Sequence, residues 1–218
     1  MKKFFYYNSL SLVFIFLFFL GMLGQIIFGL QEYNKDLQEW GGSAVGYDAY
    51  LKSGHFLEAT FENWESEFLQ MALLVWLTIF LRQKGSSESK KCDEPNEVDR
   101  EPSPLREGAP WPVRKGGFYL KLYQNSLTFT LFILFILSFL LHVYGSLKDA
   151  NTENLLLGKP LEKWSDYIVD SRLWFESFQN WQSEFLSIFA IIILSIYLRQ
   201  KGSSQSKPVD ASYSETGE

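Results

Sequence analysis

Residues 61–85 read FENWESEFLQMALLVWLTIFLRQKG, and residues 178–202 read FQNWQSEFLSIFAIIILSIYLRQKG. The two blocks lie 117 positions apart, and the same offset holds along the chain. Asn8-Ser9-Leu10 returns as Asn125-Ser126-Leu127, Asn34 as Asn151 and Tyr50 as Tyr167. LRQKGSSESK (81–90) returns as LRQKGSSQSK (198–207), with nine of ten residues identical. No gap is needed between these landmarks, so the chain reads as a tandem duplication of one unit of roughly 100 residues. Loops as well as helices then keep their lengths in both copies.

The apolar half of each block reads as a membrane helix. Aromatic residues make up 17% of the chain and Phe alone supplies 20 positions, while mean hydropathy stays near zero because long polar stretches dilute long apolar ones. Upstream, no charge falls between Phe4 and Gln31, and Ser9–Leu30 offers 22 largely apolar positions. About 20 helical residues cross a bilayer core. A secretory leader also begins with lysines, but this run is long and no small-residue cleavage site follows it. Its counterpart Ser126–Leu147 lies in mid-chain, where no leader can be. Both are expected to be transmembrane helices, with Asn8-Ser9 and Asn125-Ser126 as N-caps.

A second helix is expected in each copy, capped by Ser53 and running from His55 to about Lys84, and again from Ser171 to Gly202. Arg82 and Lys84, like Arg199 and Lys201, then stand in the last turn, where cations suit the helix dipole. Gly85 and Gly202 follow as terminating glycines. Only 14 uncharged residues separate Glu67 from Arg82, and 14 separate Glu184 from Arg199. At 1.5 Å per residue that is about 21 Å, short of a hydrocarbon core of roughly 30 Å. Each helix must therefore draw Asn63, Ser66 and Glu67, or Asn180, Ser183 and Glu184, to the membrane edge. Trp64 and Trp181 suit the aromatic belt at that level.

The chain divides into a first hairpin (1–91), a Pro-rich charged linker (92–117), a second hairpin (118–208) and a polar tail (209–218), with little fixed structure expected in linker and tail. Lys and Arg number 14 in the N-terminal, linker and C-terminal stretches against 6 in segments 31–66 and 148–184. That asymmetry places both termini and the linker in the cytoplasm. The fold class expected is all-α: a four-helix transmembrane protein of two tandem helical hairpins, related as a parallel internal repeat.

Three constellations bear on function. Asn63, Ser66 and Glu67, with Asn180, Ser183 and Glu184, form an i, i+3, i+4 polar stripe in each copy. It reads either as headgroup-facing acids with Asn and Ser bonding between helices, or as a site for a proton, ion or small ligand. Gln25 and His142 hold equivalent places near the outer ends of the first and third helices. His142 reads as a hydrogen-bonded structural residue or as a proton partner of Glu184. Arg82, Lys84, Arg199 and Lys201 read as cytoplasmic-interface anchors, with headgroup or partner binding as the functional alternative. Gly21 and Ser138 occupy matching places suited to close helix packing.

No Walker loop, dinucleotide fingerprint, HExxH or GxSxG is present, so no cofactor, metal site or catalytic residue is expected. Single Cys92 rules out an intrachain disulfide. A net charge of −5 without a basic patch argues against nucleic acid. ENWxSEFLQ, FLRQKGSxESK and the acidic run Asp93–Arg100 resemble a domain-of-unknown-function family of small bacterial membrane proteins, along nearly the whole chain. That resemblance implies an inner-membrane location and brings no activity. Gln179 and Gln182 replace Glu62 and Glu65 in the second copy, which counts against those two acids as essential groups. The expected function is a non-enzymatic structural or interaction protein of the envelope, with the lipid bilayer and a membrane-protein partner or second copy as partners. A small transporter or channel-like protein with Glu67 and Glu184 on its path is the alternative, and a membrane enzyme the third.

Overall fold

The computed structural model describes residues 2–217 and is all-helical, with no strand among them. The helices are α1 (Lys2–Tyr7), α2 (Ser9–Glu39), α3 (Tyr47–Tyr50), α4 (Gly54–Leu77), α5 (Trp111–Lys115), α6 (Gly117–Gln124), α7 (Ser126–Leu156), α8 (Trp164–Tyr167) and α9 (Ser171–Tyr197). Three of them, α2, α7 and α9, are long and apolar enough to cross a bilayer. Four were expected. The difference is α4, which holds Glu58, Glu62, Glu65 and Glu67 and ends ten residues after the last of these. In α9 Gln179 and Gln182 stand where α4 has two of its acids, and the helix continues 13 residues beyond Glu184.

The ends of α4 and α9 correct the sequence reading. Neither reaches Lys84 or Gly202. At the end of α4 the Thr78 hydroxyl donates to the carbonyls of Leu74 (2.8 Å) and Val75 (3.1 Å), a side-chain bond that competes with the helical ladder. The chain then turns through residues 78–80. Arg82, beyond the helix, reaches back to the carbonyls of Ile79 (3.2 Å) and Leu81 (3.0 Å). Gly85 (φ +89°) and Gly202 (φ +84°) serve turns well past the helices rather than helix ends.

The asparagines also depart from expectation. Asn8 makes no capping bond; its amide donates back to the Phe4 carbonyl at 2.8 Å, and the Asn125 amide donates to Lys121 at 3.0 Å. The helices α1 and α6 lead into α2 and α7 here, so backbone N–H groups already have upstream carbonyls. Ser53, in contrast, caps α4 as expected, its hydroxyl accepting from the Phe56 N–H at 3.1 Å.

Two compact units are present: Met1–Glu62 with Phe139–Trp174, and Asn63–Ser138 with Phe175–Glu218. In the first, Leu30, Tyr33 and Leu37, one face of α2, close over Tyr50 with Phe56 and Val45 alongside. Val143 and Ala150 of α7 do the same with Tyr167 and Leu173. Each loop is pinned by an asparagine. Asn34 donates to the Val45 carbonyl (3.0 Å) and accepts from its N–H (2.7 Å); Asn151 binds Glu162 likewise at 3.1 and 2.7 Å.

Close helix packing falls at glycines other than Gly21, whose added Cβ would meet nothing within 4 Å. A Cβ on Gly54 would lie 2.2 Å from the Asp149 nitrogen, and one on Gly145 2.5 Å from the Glu58 nitrogen. The start of α4 thus crosses α7 backbone to backbone. Gly29 similarly admits the Tyr50 hydroxyl, which a Cβ there would meet at 2.0 Å.

In the second unit, residues 83–89 and the tail interlock, contrary to the expected lack of structure. Gly217 donates to the Ser86 carbonyl (3.0 Å), Gly85 to the Thr216 hydroxyl (2.8 Å), and Ser87 to the Gln205 carbonyl (3.2 Å). Lys207 is buried and donates to the carbonyls of Ser212 (3.1 Å) and Glu215 (2.7 Å). Each of these bonds has a main-chain group on at least one side, which is why composition does not announce them.

Candidate functional site

The first unit holds a charge cluster on Arg172. Arg172, in the first turn of α9, faces three carboxylates: Glu58 at 3.3 Å, Asp149 at 3.5 Å and Glu153 at 3.9 Å. Asp149 is only 4% exposed. The Asp170 carboxylate accepts from the Arg172 N–H at 2.7 Å, so the cap of α9 also aims its guanidinium. The ammonium of Lys148 donates to the Lys52 carbonyl. On the α4 side, His55 packs among Tyr33 and Tyr50 (ring centroids 5.2 and 5.9 Å) with its Nε2 4.0 Å from Asp36. Burial of this kind is favourable only while charges stay paired. The arrangement fastens α4, α7 and α9, and no nucleophile with a base beside it lies in it.

Gln25 donates to the Thr60 hydroxyl at 3.0 Å, which in turn donates to the Phe56 carbonyl at 2.7 Å. His142 is fully buried, and the acid its ring approaches in this unit is Glu62, with potential ligand atoms within 4.8 Å. Glu62 is one of the two acids the sequence comparison discounted. Its counterpart Gln179 hid it, because a duplicated chain need not use both copies of a position alike.

In the second unit the polar stripe is split. Ser66 is buried, whereas Asn63 and Glu67 are exposed. Asn180 and Glu184 are half-buried and Ser183 exposed. The Ser66 and Ser183 hydroxyls donate to their own helices, to Asn63 (2.9 Å) and Asn180 (2.8 Å). The inward acid of α4 is Glu65, fully buried and accepting from the Trp181 indole N–H at 2.8 Å. Trp181, expected at the level of the aromatic belt, commits its donor to a carboxylate, with Phe178 and Phe135 against its ring. The spacing Glu65, Leu69, Ala72 on one buried face was the signal available for this.

Lys84 and Lys201 are exposed. The two arginines are not equivalent. Arg199 donates through Nη1 to Ser195 and Leu198 carbonyls, through Nε to Pro208 (3.2 Å) and through Nη2 to Ala211 (3.0 Å). Among the described residues Arg82 donates through Nη1 alone.

No curated protein and no solved structure matches the chain significantly. One family model does, the one described as a domain of unknown function (DUF6766), and it spans residues 1–218. With the whole length matched, the chain belongs to the DUF6766 family.

Proposed function

We propose that this is a non-enzymatic, multi-pass protein of the bacterial inner membrane, with both termini cytoplasmic, acting as a structural or interaction subunit of the envelope. In this reading α4 completes a fourth crossing together with residues 78–81, so that two tandem helical hairpins stand in one orientation. The matched 31-residue lengths of α2 and α7 support it, as do the matched asparagine pins. The observation that carries it is the use made of polar side chains. Asn34, Asn151, Gln25, Glu65 and Arg172 are all engaged in holding helices and loops to one another. Its partners are the bilayer and another membrane protein or a second copy. Carbonate extraction of membranes, followed by crosslinking of the full chain in place, tests this. The expected result is a carbonate-resistant chain that crosslinks to one discrete species. A chain released by carbonate contradicts the reading.

A second reading, favoured by the half-burial of Glu184 on α9, is a proton or cation path through the second unit with Glu67 and Glu184 on it. Reconstituted protein carrying Glu67→Gln with Glu184→Gln distinguishes the two. Flux present in the natural chain and lost in the double variant supports the path; no flux in either supports the structural role.

A further inference from the structure

The second unit contains a cavity of about 390 Å³ between the C-terminal half of α4 and the middle of α9. That lies within the range of about 300–1,000 Å³ typical of small-ligand sites. Leu74, Leu77, Phe185 and Phe189 supply apolar walls. Polar groups collect where the chain leaves α4, at Arg82, Gln83, Ser86 and Glu88. The cavity is therefore amphipathic, apolar along the helices and charged at one end.

Two comparisons with the second copy sharpen this. Arg199 has Nε, Nη1 and Nη2 all bonded to carbonyls, with Tyr213 stacked 5.7 Å from its guanidinium. The Nη1 of Arg82 is held on the Ile79 and Leu81 carbonyls, and its Nε and Nη2 meet no acceptor among the described residues. A guanidinium fixed on one side presents a rigid fork suited to a phosphate or carboxylate. Glu88 is the one residue of the ten-residue motif that differs between copies, where the second has Gln205. It is half-buried, its N–H donating to the Ser86 hydroxyl at 3.1 Å. The charged end of the cavity thus offers one cation and one anion.

We infer that this cavity binds a single glycerophospholipid with a zwitterionic amino headgroup: an acyl chain between α4 and α9, the phosphate on the open edge of Arg82 and the ammonium at Glu88. The inference rests on the membrane reading above. An apolar chain joined to a phosphate and an amine matches walls and mouth together, and an arginine at a bilayer interface lies at headgroup level. A purely anionic headgroup satisfies Arg82 and is repelled by Glu88.

The test uses the full chain extracted in mild detergent and analysed by native mass spectrometry. It is then challenged with equimolar phosphatidylethanolamine and phosphatidylglycerol. The natural chain is expected to retain one phospholipid per copy and to prefer the ethanolamine headgroup about tenfold, the worth of one charge-assisted hydrogen bond. Glu88→Gln, which installs the second copy's residue, should keep the lipid and lose the preference. Arg82→Gln should lose retention. Leu74→Trp, which fills the cavity, should exclude the lipid. Membrane-extracted protein that holds no lipid, or that shows no headgroup preference, overturns the inference while leaving the membrane reading intact. Protein recovered without detergent from the soluble fraction overturns both.

Discussion

Gly145→Ala is the sharpest test of how the first unit is built. The added methyl would sit 2.5 Å from the Glu58 nitrogen and 2.9 Å from the Leu57 carbonyl carbon. Ordinary contact needs about 3.5 Å, so α4 and α7 must part by about 1 Å. These atoms are helix backbone and have no rotamer by which to yield. Overpacking of this kind costs about 1–3 kcal/mol, and a rigid neighbour puts it at the upper end. Replacing glycine by alanine within a helix returns about 0.5–1 kcal/mol. A net loss of about 2 kcal/mol remains. The same separation stretches the Arg172 pairs with Glu58 and Asp149, which cross this contact at 3.3 and 3.5 Å. Thermal unfolding in detergent, followed by circular dichroism, measures the effect. Gly24→Ala is the control, since its methyl would meet nothing within 4 Å; it should be neutral or slightly stabilising. A Gly145→Ala protein as stable as the control would refute the backbone crossing.

Tyr50 and Tyr167, both fully buried, should respond differently to loss of the hydroxyl. Tyr167→Phe removes a 2.5 Å bond to Ser146 and should cost about 1 kcal/mol. Tyr50→Phe should be neutral or stabilising, because the Tyr50 hydroxyl is buried against Gly29 with no hydrogen-bond partner among the described residues; equal losses in an unfolding assay would contradict this. Trp181→Phe keeps the ring but withdraws the indole donor from fully buried Glu65, at an expected cost of about 1–3 kcal/mol. Adding Glu65→Leu should recover part of that loss, and failure to recover any would mean the pair is not coupled. Burial holds the Lys207 ammonium below its ordinary value. The folded state then releases that proton before the unfolded chain does, so this group's contribution to stability rises with pH as the ordinary lysine range is approached. Lys207→Gln should flatten that alkaline rise in a pH series of unfolding midpoints.

Much of the plan was legible because it rests on local chemistry. Uncharged runs marked α2 and α7, and Ser53 marked the start of α4, whereas the recurrence of Asn34 at Asn151 marked the repeat and not the loop pin that both side chains form. The ends of α4 and α9 were not legible, since a run of apolar residues continues past Leu77 and hides the turn that the Thr78 hydroxyl helps to form. Facing was harder still. Glu65 and Glu67 are two residues apart, about 200° around a helix, and the choice between them depends on which neighbour arrives. Here Trp181 comes to Glu65. The unequal second copy, with Gln182 at that place, turned attention towards Glu67. The tail was read as unstructured from its polar, Ser-rich composition, yet it is ordered by a main-chain bond from Gly217 to Ser86, by the Thr216 hydroxyl accepting from Gly85 and by the Lys207 ammonium on the Glu215 carbonyl.

The membrane plan is tested most directly at Cys92, an exposed thiol in the linker. Intact cells are treated with a membrane-impermeant maleimide, before and after permeabilisation, alongside a Cys92→Ser chain carrying Asp48→Cys. The account predicts that Cys92 reacts only after permeabilisation and that the cysteine at position 48 reacts in intact cells. Labelling of Cys92 from outside, or of both positions alike, would contradict it.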